Sequence, residues 1–90
     1  MRFIKMKIQE VIDKVNSGKH IIYKRLNIKY EVREKTLSDG RKFLACINPN
    51  NERDYASLDF IFESQQYLET SYFDKKFSFE DLDIKGFEEV

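Results

Sequence analysis

Ninety residues carrying 16 basic and 16 acidic side chains set a frame of one small domain, with no room for a second core. At 41% hydrophobic and 14% aromatic the chain is too apolar for a disordered segment, and at 36% charged it lacks the run of roughly 20 apolar residues that a membrane-spanning helix needs. One Cys and one His leave no disulfide framework and no zinc-ligand set.

The opening Met1-Arg2-Phe3-Ile4-Lys5-Met6 has too short an apolar core for a secretory signal, and no small-residue cleavage site follows it. The chain reads as a single domain over 1–90, with residues 1–6 a candidate N-terminal extension. Ile8, Val11, Ile12 and Val15 then fall at i, i+3, i+4 and i+7, the stripe of an amphipathic helix over about 7–17. Ser17-Gly18 stops it, since Gly takes the left-handed conformation without a Cβ clash.

His20-Ile21-Ile22-Tyr23 is a β-prone run. Ile28, Tyr30 and Val32 alternate with Lys29, Glu31 and Arg33, which predicts a half-buried strand. Asp39-Gly40 supplies positive φ angles for a tight turn, so 28–36 and 41–48 are expected to pair antiparallel. Asn48 to Asp54 reads as a loop around Pro49. Leu58, Phe60 and Phe62 alternate with Asp59, Ile61 and Glu63, predicting a further strand, whereas Gln65 to Phe73 fits a strand and a helical turn equally. Ser78-Phe79-Glu80-Asp81 has the form of a capping box, and Leu82, Ile84, Phe87 and Val90 follow as apolar anchors. The sum is an α+β fold: an N-terminal amphipathic helix packed on an antiparallel sheet of about five strands.

Motif chemistry is sparse. Asp81 to Gly86 opens like a calcium loop, but Lys85 stands where an oxygen ligand is wanted and no bidentate Glu follows at the twelfth position. Gly18, Gly40 and Gly86 are too scattered for a phosphate loop, and His20 has no partner at any spacing of a catalytic triad. Cys46, inside the apolar run Phe43 to Ile47, reads as an inert buried thiol and points to a cytosolic setting. These features predict a non-enzymatic protein with no cofactor.

Charge is distributed unevenly. Residues 1–53 carry 13 Lys/Arg against 6 Asp/Glu, and residues 54–90 carry 3 against 10. The halves can attract each other within the fold, or meet different partners. In the basic segment Lys19 to Lys42, Lys24, Arg25 and Arg33 interleave with Tyr23 and Tyr30, a composition that suits phosphate and base recognition. In the acidic half, Asp74, Glu80, Asp81, Asp83, Glu88 and Glu89 could imitate a phosphate backbone and occupy a basic site on another protein.

Two stretches resemble a family of small phage proteins, the Thoeris anti-defence sponges and their anti-CRISPR relatives. Ile8 to Ile22 (amphipathic helix, Gly18 stop, β run) looks like that family's opening, and Ser78-x-x-Asp81-Leu82 with Phe87 and Val90 looks like its ending. The family's Arg after the first β run and its nearby Trp fall here at Tyr23 and Leu26, with Arg25 close by. The resemblance implies an oligomeric protein of the bacterial host's cytoplasm that sequesters a cyclic nucleotide-type immune signal. Cations for phosphates and aromatics for the base would then come from Lys24, Arg25, Tyr23 and Tyr30, with Asp81 as a ribose acceptor. A protein–protein inhibitor acting through the acidic half and a small nucleic-acid-binding domain are the rival expectations.

Overall fold

Ile8–Asn16 forms the first helix, α1, as its apolar stripe requires. Glu10 in the first turn and Lys14 in the last complement the helix dipole. It stops in a Schellman motif: Gly18 lies at φ +89°, its N–H donates to the Val15 carbonyl, and the Lys19 N–H donates to the Lys14 carbonyl. Ile8 and Val11 are buried, and Ile12 and Val15 pack beside them. The structure, a computed structural model, describes residues 5–70 and 83–90.

Five strands make one antiparallel sheet: β1 (Ile21–Arg25), β2 (Ile28–Thr36), β3 (Lys42–Asn48), β4 (Asn51–Ser57) and β5 (Phe87–Glu89), in the order β4-β3-β2-β1-β5. The first four form a meander, and the last returns to the free edge of β1. A second helix, α2 (Leu58–Thr70), follows β4 directly. Both helices take part in the same core, with Val11, Leu58, Ile61 and Phe62 meeting Ile21, Tyr23, Val32, Cys46 and Phe87. The fold is α+β, and no described helix is long and apolar enough to cross a membrane.

The β2–β3 hairpin forms as expected, antiparallel, with Thr36 opposite Lys42 through Glu31 opposite Ile47. Its turn differs from the expected tight form. Only Gly40 takes positive φ there, and the Gly40 N–H closes a turn onto the Leu37 carbonyl at 3.0 Å, so Asp39 serves instead as an acceptor for the Arg41 backbone N–H. This is a three-residue connection with a left-handed glycine. The two-residue turn with positive φ is at Leu26 and Asn27, between β1 and β2, where no glycine marks it.

Three further expectations are corrected. Residues 51–54, read as loop, belong to the strand Asn51–Ser57; the turn shrinks to Pro49-Asn50, with the Asn50 N–H bonded to Asn48 Oδ1. The polar run Asn51 to Asp54 reflects an edge position, where charge discourages pairing with other chains. Residues 58–63 are helix rather than strand: the buried side chains are Leu58, Ile61 and Phe62, at i, i+3 and i+4, while Phe60 is 59% exposed. Ser57 caps this helix, its Oγ accepting the Phe60 N–H at 3.1 Å. Met6, assigned to an extension, is 1% exposed and bridges Ile84 through two backbone hydrogen bonds of 3.0 Å. Ile84 and Phe87 are core residues as expected, but Val90 is exposed and contributes only its N–H, to the His20 carbonyl. The capping box at 78–81, Leu82, and the end of the ambiguous stretch at 71–73 lie outside the described residues.

Val11 has no exposed surface. A carboxylate there would be buried unpaired, so Val11→Asp should lower the unfolding free energy by about 3 kcal/mol or more. Urea denaturation measures this; a Val11→Asp protein that melts like the parent would refute the seating of α1.

Candidate functional site

Side chains alternate across the sheet, and that parity decides which of the predicted site residues can meet. Tyr23 and Arg25 lie on the helix-facing side of β1, and Tyr30 lies opposite Tyr23 on β2 with ring centroids 6.5 Å apart. Together with Cys46, Asp54 and Ala56 from β3 and β4, and with Phe60, Ile61, Ser64 and Gln65 from α2, they line a cavity of about 280 Å³. Three of the predicted residues, Tyr23, Arg25 and Tyr30, thus share one site.

Lys24 does not join them. It points to the other face, where its Nζ lies 3.1 Å from Glu88 Oε1. Asp81 lies outside the described residues, as do Asp74 and Glu80. A carboxylate reaches the cavity from elsewhere: Asp54 Oδ2 accepts the Tyr30 hydroxyl at 3.1 Å and the Asn48 side-chain amide at 3.2 Å. Asp54 and Gln65 are missed by the sequence reading because their segments are assigned to a loop and to an undecided stretch, and Ser64 because it falls between the predicted strand and that stretch. Period-2 parity across 51–57 was the available signal, since it puts Asp54 and Ala56 on one face.

The tyrosines are held firmly. Tyr23 packs on Phe87 at 4.7 Å between centroids, and Phe87 stacks on Phe62 at 5.6 Å. Gly86 passes so close that a Cβ there would lie 2.9 Å from Tyr23 Cε1 and 3.0 Å from the Lys24 carbonyl oxygen. Burial raises the Tyr23 hydroxyl above its ordinary pKa; burial and then the hydrogen bond to Asp54 do the same for Tyr30, while Arg25 pulls both down. Burial pushes the Cys46 thiol up to about 12. Cys46 is therefore a weakly acidic part of the wall rather than an activated nucleophile.

Elsewhere several cations and acids pair within the fold. Lys14 pairs with Glu89 at 3.1 Å, and this pulls the Glu89 carboxyl below its usual range. Arg33 contacts Glu31 and Glu52, Arg41 contacts Asp39, and Lys35 lies over the Tyr55 ring at 4.8 Å. Glu88 and Glu89, two of the six acids assigned to a partner-binding surface, are thus engaged within the chain, while Asp83 is exposed. Among the described residues Arg25 has no carboxylate partner, and no group of three or more His, Cys, Asp or Glu could hold a metal ion. The arrangement can bind: two tyrosine rings, one fork-shaped cation and one fixed acceptor line a single cavity. Comparison of the chain with protein families, with curated proteins and with solved structures finds no match.

Two expectations follow. Gly86→Ala, at φ +109°, should cost about 1–3 kcal/mol and change the near-ultraviolet tyrosine signal by displacing the Tyr23 ring; an unchanged spectrum and melting temperature would contradict this. The raised groups are neutral in the fold and ionise more readily when unfolded. Their stabilisation is complete below the ordinary thiol value and declines as pH climbs from there towards 12. Urea midpoints taken from pH 8 to 10.5 should therefore fall, and Cys46→Ala should flatten that fall.

Proposed function

We propose that this chain is a binding protein that captures a small nucleotide-type ligand in the cavity between the sheet and α2, without converting it. The observation that carries the reading is the convergence of Tyr23, Tyr30 and Arg25 on one cavity, with Asp54 fixed at its wall. A base is recognised by stacking on aromatic faces, and a phosphate by the two-pronged guanidinium. Arg25 is exposed enough to reach a ligand. At about 280 Å³ the cavity lies just below the usual range of small-molecule sites, which suits one nucleoside monophosphate unit, alone or as part of a larger signal.

Capture alone is a function if the protein outnumbers the ligand, because mass action then lowers the free signal. The resemblance of Ile8 to Ile22 to the opening of the phage anti-defence sponges supports the setting: an accessory protein of a phage or mobile element that antagonises host defence in the bacterial cytoplasm. Oligomer formation belongs to the same proposal. The rival surfaces receive less support, since the acids Glu88 and Glu89 and the cations Lys24 and Arg33 pair within the chain.

Thermal unfolding with nucleoside monophosphates and with cyclic ADP-ribose isomers tests the reading. A ligand at a hundred times its Kd should stabilise the chain by about 2.7 kcal/mol, which for a domain of this size is a rise of roughly 10 °C or more. Arg25→Gln should weaken binding by about 10- to 100-fold, the worth of one charge-assisted hydrogen bond. Lys24→Gln, on the other face, should leave binding unchanged. No shift with any of these nucleotides would refute the proposal.

A further inference from the structure

We infer that Asp54 is the specificity-determining residue of this cavity, and that it selects a ribose with free vicinal hydroxyls. The inference rests on the cavity being the binding site proposed above, and it adds which part of the ligand lies where.

The cavity has two unlike poles. Arg25 stands at the end of β1, just before the β1–β2 turn, and Asp54 stands on β4, three strands away across the sheet. At the spacing of neighbouring strands that is roughly 14 Å between backbones, bridged by side chains reaching inward. Tyr30, on β2, lies between the poles, and Tyr23 stands beside Arg25 on β1. An anion is attracted at Arg25 and repelled at Asp54, so a phosphorylated ligand can enter in one orientation, with its phosphate towards β1.

Asp54 is also rigidly aimed. Oδ2 accepts from both Tyr30 Oη and Asn48 Nδ2, at 3.1 and 3.2 Å, which fixes the carboxylate plane. Oδ1 has no partner among the described residues and retains its acceptor capacity. An ionised carboxylate accepts only, so whatever meets it must donate. A ribose cis-diol supplies two adjacent O–H donors on the face of the sugar opposite the base and the 5′-phosphate arm, so the diol can meet Asp54 while the phosphate turns towards Arg25. A sugar stripped of those hydroxyls would leave a partly desolvated carboxylate oxygen unpaired, a penalty that discriminates more strongly than lost apolar contact.

The test needs no altered protein at its first step. Calorimetric titration of the chain with adenosine 5′-monophosphate and with its 2′,3′-dideoxy analogue should show the ribonucleotide bound about 10- to 100-fold more tightly. Asp54→Asn keeps the volume and can still accept the Tyr30 hydroxyl, and by relieving the penalty on the dideoxy analogue it should shrink that preference to less than about threefold. Equal affinity of the parent for the two nucleotides, or an Asp54→Asn protein that keeps the full preference, overturns the role of Asp54 and leaves the cavity reading standing. If neither nucleotide binds at millimolar concentration, the cavity reading falls and this inference falls with it.

Discussion

Phe87 enters the core between Phe62 of α2 and Tyr23 of β1, and much of the architecture depends on that contact. The two partners come from segments far apart in the chain, so the stack ties the C-terminal strand to the sheet and to the second helix at once. With Phe87 seated, β5 pairs along β1 and covers an edge that would otherwise present unpaired backbone groups. Gly86 then passes directly over the Tyr23 ring, at a distance no larger residue allows. Tyr23 is thereby held facing Tyr30, and Tyr30 in turn bonds Asp54. One continuous row of side chains crosses from β5 to β4, apolar at one end and acidic at the other. It is at once the middle of the core and the wall of the cavity.

The uneven charge of the two halves finds its use in the same place. Glu88 and Glu89 point to opposite faces of β5, and each meets a cation from the basic half: Lys24 on one face and Lys14 of α1 on the other. Each pair is partly exposed, and exposed pairs contribute at most about 1 kcal/mol. Their value is positional, since a three-residue strand has few backbone hydrogen bonds with which to define its register. Long-range attraction between the halves and local pairing at β5 are one effect at two distances. The cation left without a carboxylate among the described residues and facing the cavity is Arg25, and parity alone separates it from its neighbour Lys24.

Much of this was legible in the residues, for identifiable reasons. α1 and the β2–β3 hairpin are local structures, specified by a 3.6-residue or two-residue period together with a glycine that ends or turns them, so their positions could be read closely. The errors lie where local and tertiary signals compete. Leu58, Phe60 and Phe62 satisfy a two-residue period, but Leu58, Ile61 and Phe62 also satisfy a helical one, and the Ser57 cap decides for the helix. Asn51 to Asp54 look like a loop because an edge strand bears the same polar residues as a loop does. The site was half legible: Tyr23, Tyr30 and Arg25 fall together because they share sheet parity. Lys24 falls on the other face, a parity that sequence adjacency ignores, and Asp54 was not named because its part of the strand was read as a loop.

A cavity of about 280 Å³ is a sizeable opening in a chain of 90 residues, since interiors otherwise pack to the density of organic crystals and an empty void forfeits dispersion contacts. The lining shows how the fold tolerates it. Arg25, Asp54, Ser64 and Gln65 contribute polar groups that water can satisfy, beside an aromatic and apolar lining. The aromatic part is also where the side chains are fixed by the Phe62–Phe87–Tyr23 stack, so the groups that would meet a flat ring system are set in place before any ligand arrives. Stability and recognition cannot be separated at Tyr23, which is 8% exposed and belongs to the core. They can be separated at Arg25, which is exposed, and at Asp54, which is held by two hydrogen bonds rather than by packing. Substitutions that redirect this site are therefore expected at the two charged poles, with the aromatic row between them kept.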